Sequence, residues 1–268
     1  MTMRFLVATA FAAVVFTSGA HAADLPRKYV KAPVPVAAPF NWTGFYVGAH
    51  GGGGWGKNDW QDFVDPTNPA NATPGPDANY NISGALAGGQ IGYNWQTGWT
   101  VFGIETDASW ADIKGRGNNA PLFVVGVPAP VPMCMQQGDP TSSGCSSKIE
   151  ALGTITGRVG AAFDHALLYV KGGAAWGVTK HTVLGFGLVG AGAGPISAST
   201  SETRWGWTIG AGVEYAFAAN WSVKAEYNYI DLGTERVNFI YQPPQPTNAS
   251  ARLEQVLHVA KAGINYRF

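Results

Sequence analysis

Three observations predict an all-β fold: an eight-stranded antiparallel up-and-down transmembrane β-barrel with short periplasmic turns and four long extracellular loops. The chain begins with an export leader. It then carries eight segments whose side chains alternate between apolar and polar at every second residue, and the connections between them alternate strictly between short and long. Only 13% of the 268 residues are charged and 12% are aromatic. Soluble domains are about 25% charged, so a large part of this surface is shielded from water.

The elements follow in order. Met1 to Arg4 is a short basic start, Phe5 to Phe16 an apolar core, and Ala20-His21-Ala22 a small-residue cleavage pattern. Residues 1–22 therefore read as a signal peptide, too short to span a bilayer. Residues 23–40 contain Pro26, Pro33, Pro35 and Pro39 with Arg27, Lys28 and Lys31, the composition of a semi-extended periplasmic linker. Residues 41–268 form the barrel domain. Its strands are expected at 43–56, 83–96, 99–114, 148–163, 167–182, 202–217, 221–237 and 253–268. Thr97-Gly98, Asp164-His165 and Ala218-Ala219-Asn220 make three tight links. The connections near 57–82, 115–147, 183–201 and 238–252 are long and rich in Pro, Asn, Gly and Ser. An even strand count returns both ends of the barrel to the periplasmic side, where the linker belongs.

Each strand flips its side chains between faces because the strand period is two. In the seventh segment Trp221, Val223, Ala225, Tyr227 and Tyr229 share one face, and Ser222, Lys224, Glu226 and Asn228 the other. The apolar face is assigned to lipid and the polar face to the lumen. The polar faces of strands three to eight collect Glu105, Asp107, Arg158, Lys171, Glu214, Lys224, Glu226, Lys261 and Arg267. Eight strands enclose a lumen that side chains can fill, and charges buried there need partners. The reading is an ion-pair and hydrogen-bond network acting as a plug, with a charged constriction in a small-solute pore as the alternative. Tyr266 and Phe268 end the last strand on its outward face, where they would serve in the interfacial girdle and as the C-terminal barrel-insertion signal.

Other chemistries find little support. The leader holds only Arg4, so the rest of the chain has 16 basic against 17 acidic groups, no electrostatic footprint for nucleic acid. The glycine clusters at Gly51–Gly54, Gly88-Gly89, Gly172-Gly173, Gly210 and Gly212 lack the Lys-Ser/Thr of a phosphate loop. His50, His165, His181 and His258 sit singly, with no metal-ligand spacing and no His-x-Ser pattern, so no catalytic, cofactor or metal residue is nominated. Cys134 and Cys145 flank a Pro/Gly/Ser-rich stretch of an exported chain, which points to a disulfide across that loop.

Several runs resemble the porin-like outer membrane immunogenic protein family of alphaproteobacteria. They are Phe40-Asn41-Trp42-Thr43-Gly44-Phe45-Tyr46-Val47-Gly48, Gly92-Tyr93-Asn94-Trp95-Gln96, Thr156-Gly157-Arg158-Val159-Gly160, Lys224-Ala225-Glu226-Tyr227-Asn228-Tyr229 and the ending Gly263-Ile264-Asn265-Tyr266-Arg267-Phe268. The resemblance covers the barrel in order. It implies an OmpA-like or porin-like barrel, abundant at the cell surface and often antigenic, with no shared catalytic residues. Relative to that family the 115–147 connection is long. The expected role is a non-enzymatic, porin-like structural protein of the outer membrane with limited permeability. The alternatives are a diffusion porin, and an adhesion or haem-binding module working through the long loops. The expected partners are outer-membrane lipid and the barrel-assembly machinery, with homo-oligomerisation left open, no cofactor and no nucleic acid.

Overall fold

Backbone groups that enter lipid need partners along both edges of every strand, because each unsatisfied one costs several kcal/mol. In the computed structural model, eight long strands meet that demand by closing on themselves. Residues 40–64, 78–117, 121–122, 131–132, 144–189, 192–240 and 248–268 are described. The long strands are β1 (Gly44–Val64), β2 (Ala78–Thr97), β3 (Thr100–Gly117), β6 (Gly144–Phe163), β7 (Ala166–Val189), β8 (Gly192–Ala216), β9 (Trp221–Ile240) and β10 (Asn248–Arg267). Two two-residue strands, β4 (Pro121–Leu122) and β5 (Val131–Pro132), pair within the connection after β3. Every neighbour in the barrel is antiparallel, and β1 pairs with β10 from Tyr46 opposite Arg267 onward, so the sheet closes on itself.

The tight ends are the ones the sequence predicts. Gly98 turns at φ 62° between β2 and β3, and Asp164 turns at φ 54° between β6 and β7, a left-handed position that Asp tolerates. The far ends differ from expectation. On the four hairpins with long connections the ladder runs beyond the predicted limits, whereas the β8–β9 ladder stops short of them at Trp207 opposite Asp231. The expected 183–201 loop is almost wholly strand, paired from Val183 opposite Ala198 to Val189 opposite Gly192. Strand hydrogen bonds are made by backbone, so a ladder that has left the bilayer needs no apolar–polar alternation to persist. Strands of 18 to 25 residues are about twice what a tilted crossing requires, roughly 9–11. The barrel wall therefore projects well past the lipid on the long-connection side.

Two aromatic girdles mark the lipid band. Phe45, Trp95, Phe163, Phe217, Trp221 and Phe268 ring the short-turn end, where Tyr266 packs edge-on against Trp221 and Phe268 at ring-centroid distances of 5.0 and 5.2 Å. Trp55, Trp110, Trp205 and Trp207 ring the other level. Between them the outward face is Ile91, Ile104, Ile155, Leu168, Val170, Ile209 and Val213, all exposed. That is the lipid-facing assignment made from the alternation.

Candidate functional site: a layered lumen

The inward residues of the eight strands stack in tiers. At the short-turn mouth, Trp42 (1% exposed) packs with Val101, Ala162, Leu167, Tyr169 and Ala216, and Phe40 lies against them. Trp42 is held from three sides: its Nε1 donates to the Asp164 carbonyl at 3.2 Å, its backbone N–H donates to Gln96 Oε1 at 2.7 Å, and the Arg267 guanidinium sits 5.2 Å over its ring. The residues just before β1 thus form an apolar lid in the mouth.

Beyond the lid lies one ion cluster. Glu105, its side chain fully buried, accepts from Lys171 at 2.8 Å, Lys224 at 2.9 Å and the Tyr46 hydroxyl at 2.9 Å, with the Arg158 guanidinium 3.7 Å away. Glu226 lies 2.9 Å from Lys171 and 3.1 Å from Lys224. Lys261 bridges to Asp107 at 3.1 Å, and Arg158 to Glu214 at 3.3 Å. Four carboxylates and four cations therefore form one connected, neutral group. Each ion has a close opposite charge, which is the condition for tolerating it in a low-dielectric interior.

Neutral polar side chains extend the cluster. Asn265 donates to Glu214 at 2.8 Å and accepts from Gln90 at 2.7 Å. Gln90 Oε1 lies 2.5 Å from His50 Nδ1, and His50 Nε2 lies 2.7 Å from the Ser109 hydroxyl. Asn94 accepts from Arg158 Nε at 2.9 Å, and the Arg158 guanidinium lies over the Tyr46 and Tyr169 rings at 4.7 and 5.0 Å. Small residues make the room, since a Cβ at Gly92 would run into the Tyr46 hydroxyl and one at Gly212 into the Tyr169 ring.

Above the ions comes a second apolar tier of Leu86, Ile113, Leu152, Leu232, Leu257 and Val259, all buried. A second polar tier follows beyond the outer girdle. There Gln255 donates to Asn58 at 2.9 Å, the Tyr80 and Ser147 hydroxyls are 2.5 Å apart, and Ser147 lies 2.7 Å from His181 Nδ1. Arg204, 1% exposed, donates to the Leu253 carbonyl at 2.6 Å and reaches Glu235 at 3.3 Å.

All nine charges nominated from the sequence are buried in the lumen, and eight of them join the single cluster. Arg267 stands apart at the lid, stacked 4.2 Å over Phe40 and donating to the Ala219 carbonyl. Tyr46, His50, Gln90, Asn94 and Ser109 carry no formal charge and so fall outside a tally of charged groups, although the same alternation that sets Asn265 on the polar face of the last strand places them inward. The structure also brings serines to His50 and His181 from other strands. Both pairs are shut in: Ser109 and His50 are each 6% exposed, Ser147 is 1% and His181 0%. Cys134 lies outside the described residues, and with it the expected disulfide, as do the leader and the linker up to residue 39.

Comparison with known proteins gives a consistent result. A family model described as "Outer membrane protein beta-barrel domain" matches residues 9–268. The 31 kDa outer-membrane immunogenic protein of Brucella melitensis is 31% identical over 263 residues, 96% of either chain. The 22 kDa outer membrane protein of Rhizobium leguminosarum is 29% identical over 241 residues, 85% of this chain and 86% of the other. Among solved structures, the outer membrane protease OmpT of Escherichia coli superposes with a TM-score of 0.50 at 9% identity, over 85% of this chain and 98% of that one. At that identity the likeness speaks for the fold alone.

Proposed function

This chain belongs to the outer membrane protein β-barrel family and resides in the outer membrane, and we propose that it acts there as a plugged, non-enzymatic barrel that reinforces the envelope and passes small solutes poorly. The observation that carries this reading is the layering of the lumen, in which a neutral, fully paired ion cluster is sealed between an apolar lid and an apolar tier. A diffusion pore needs a hydrated path with ions it can release. Here Lys171 and Lys224 each bind two carboxylates.

Some hydration of the plug fits the same geometry. The Tyr169 hydroxyl and both ends of the Asn228 amide are buried without a protein hydrogen bond, along the strip of Gly210 and Gly212. Polar groups of this kind are met by internal water, which is consistent with slow leakage of very small solutes. The burial of both Ser–His pairs favours a non-catalytic role, since a lipid or peptide has no approach to them. The relatives named immunogenic favour display of the long-connection end at the cell surface.

Planar-bilayer recording on the full chain tests the reading. We expect no steady unitary steps at moderate salt from the wild type. Reproducible open steps of long duration would replace the plugged barrel with a diffusion porin.

A further inference from the structure

Three lysines stand side by side on the outer wall of the barrel. Lys114 on β3 is in register with Lys148 on β6, and Lys148 with Lys180 on β7. All three point away from the lumen, and the side chains of Lys114 and Lys148 are 64% and 44% exposed. Neighbouring strands are about 4.8 Å apart, so the row spans about 10 Å. Like charges directly opposite on adjacent strands destabilise a sheet, and here they occur twice in succession. Asp112 lies 2.9 Å from Lys114 and 3.7 Å from Lys148, and Glu150 lies 3.4 Å from Lys148. Those two carboxylates leave the row short of negative charge, and Lys180 has no carboxylate partner among the described residues. On the opposite wall like charges of both signs meet, Arg236 opposite Arg252 and Asp59 opposite Glu254, with Lys57 on the same β1 strand, so that wall carries cations and carboxylates together.

The height of the row identifies what would face it. Lys180 lies four residues beyond Trp176, whose register partner Trp205 is in the outer girdle. At the rise and tilt of a membrane strand, that is about 10 Å outward from the girdle, the level of the lipid head groups. We propose that the Lys114–Lys148–Lys180 row seats the phosphorylated head group of an outer-leaflet glycolipid from the surrounding membrane. The anion lies across the three strands, relieves the repulsion between their lysines and fixes this side of the barrel against one class of lipid.

The test uses the full chain folded in detergent, with each variant first checked for the cold-versus-boiled gel shift of a closed barrel. The proteins are then placed in phosphatidylcholine vesicles containing lipopolysaccharide, chemically dephosphorylated lipopolysaccharide or neither. Replacing all three lysines (K114Q, K148Q, K180Q) should weaken retention of the phosphorylated glycolipid about a hundredfold, at about fivefold per cation near an anionic surface. The same variant should melt no lower than wild type in phosphatidylcholine alone, because the opposed charges are gone. A control on the opposite wall (K57Q, R252Q) should retain the glycolipid as wild type does. Equal retention by the triple variant, equal retention of the dephosphorylated lipid by wild type, or an equal loss in the control would each overturn the proposal. Uptake of inorganic pyrophosphate from solution without retention of the glycolipid would likewise overturn it, by making the row a soluble-anion site.

Discussion

At the scale of single residues, Glu105 is the member of the lumen whose loss should be felt most. It serves Lys171, Lys224, Arg158 and Tyr46 at once. Glu105→Gln keeps the volume but leaves a cluster of four cations facing three carboxylates. Breaking a buried pair costs about 3–5 kcal/mol, and we expect a loss of that order in urea unfolding from lipid vesicles, with bilayer conductance rising above the wild-type baseline. A result within about 0.5 kcal/mol of wild type would mean that the cluster is already hydrated. Trp42→Ala removes the centre of the lid. Deleting a buried aromatic costs about 3–5 kcal/mol, and faster uptake of a small sugar into liposomes should accompany the loss. Much of this site is legible in the sequence, since every second residue of β3, β7, β9 and β10 names its charged lumen groups. What alternation does not give is partnership. Whether Lys224 meets Glu226 on its own strand or Glu105 across the lumen depends on barrel stagger, and Arg267, polar and inward like the others, was absorbed by the lid instead.

At the scale of strands and hairpins, the short-turn ends were predicted to within about a residue because turn chemistry marks them, with Gly98 and Asp164 at positive φ. The outer ends were not, since glycine- and serine-rich ladders outside lipid carry no hydrophobic period. β9 shows a second limit of pattern reading. Its register against β10 shifts between Glu254 and Val256, where Gly233 takes φ 70°, a bulge that alternation alone would read as a continuous strand. The close approach of strands gives a further prediction. A Cβ at Gly206 would collide with the Asp231 carbonyl of the adjoining β9 backbone, which cannot swing aside as a side chain can. Gly206→Ala should therefore lower stability by about 1–3 kcal/mol and slow the appearance of the heat-shifted gel band. Gly157→Ala, with open space at its Cβ, should leave both unchanged.

At the scale of the whole molecule, the two ends of the barrel should respond to acid differently. In the projecting part, burial and then the Arg204 charge push the His181 imidazole down to about 3. An unfolded histidine takes up its proton near pH 6.5. The folded extension therefore loses stability as pH falls from about 6.5 toward 3, by up to roughly 1.4 kcal/mol per unit. Hydrogen exchange in the outer halves of β6 and β7 should quicken over that window, and His181→Gln should flatten the response. At the short-turn end, the hydrogen bond from His165 and then the Phe40 N–H hold the Asp164 carboxyl below its usual range. That contribution is complete above about pH 4 and fades only as pH falls through the lowered value. Acid titration between pH 6 and 4 should accordingly loosen the projecting wall while the lid end holds.

The pairing of β1 with β10 joins residue 46 to residue 267, whereas the other seven pairings join barrel strands that follow one another along the chain, with only the short β4–β5 pair intervening between β3 and β6. Contact order is thus low everywhere except at one seam, and loop-closure entropy falls most heavily on that seam. The hairpins can assemble one after another, but the cylinder is sealed only when the final segment reaches the first. A product clipped at its C-terminus lacks that closing segment, and its sheet keeps two borders whose backbone groups lipid cannot satisfy.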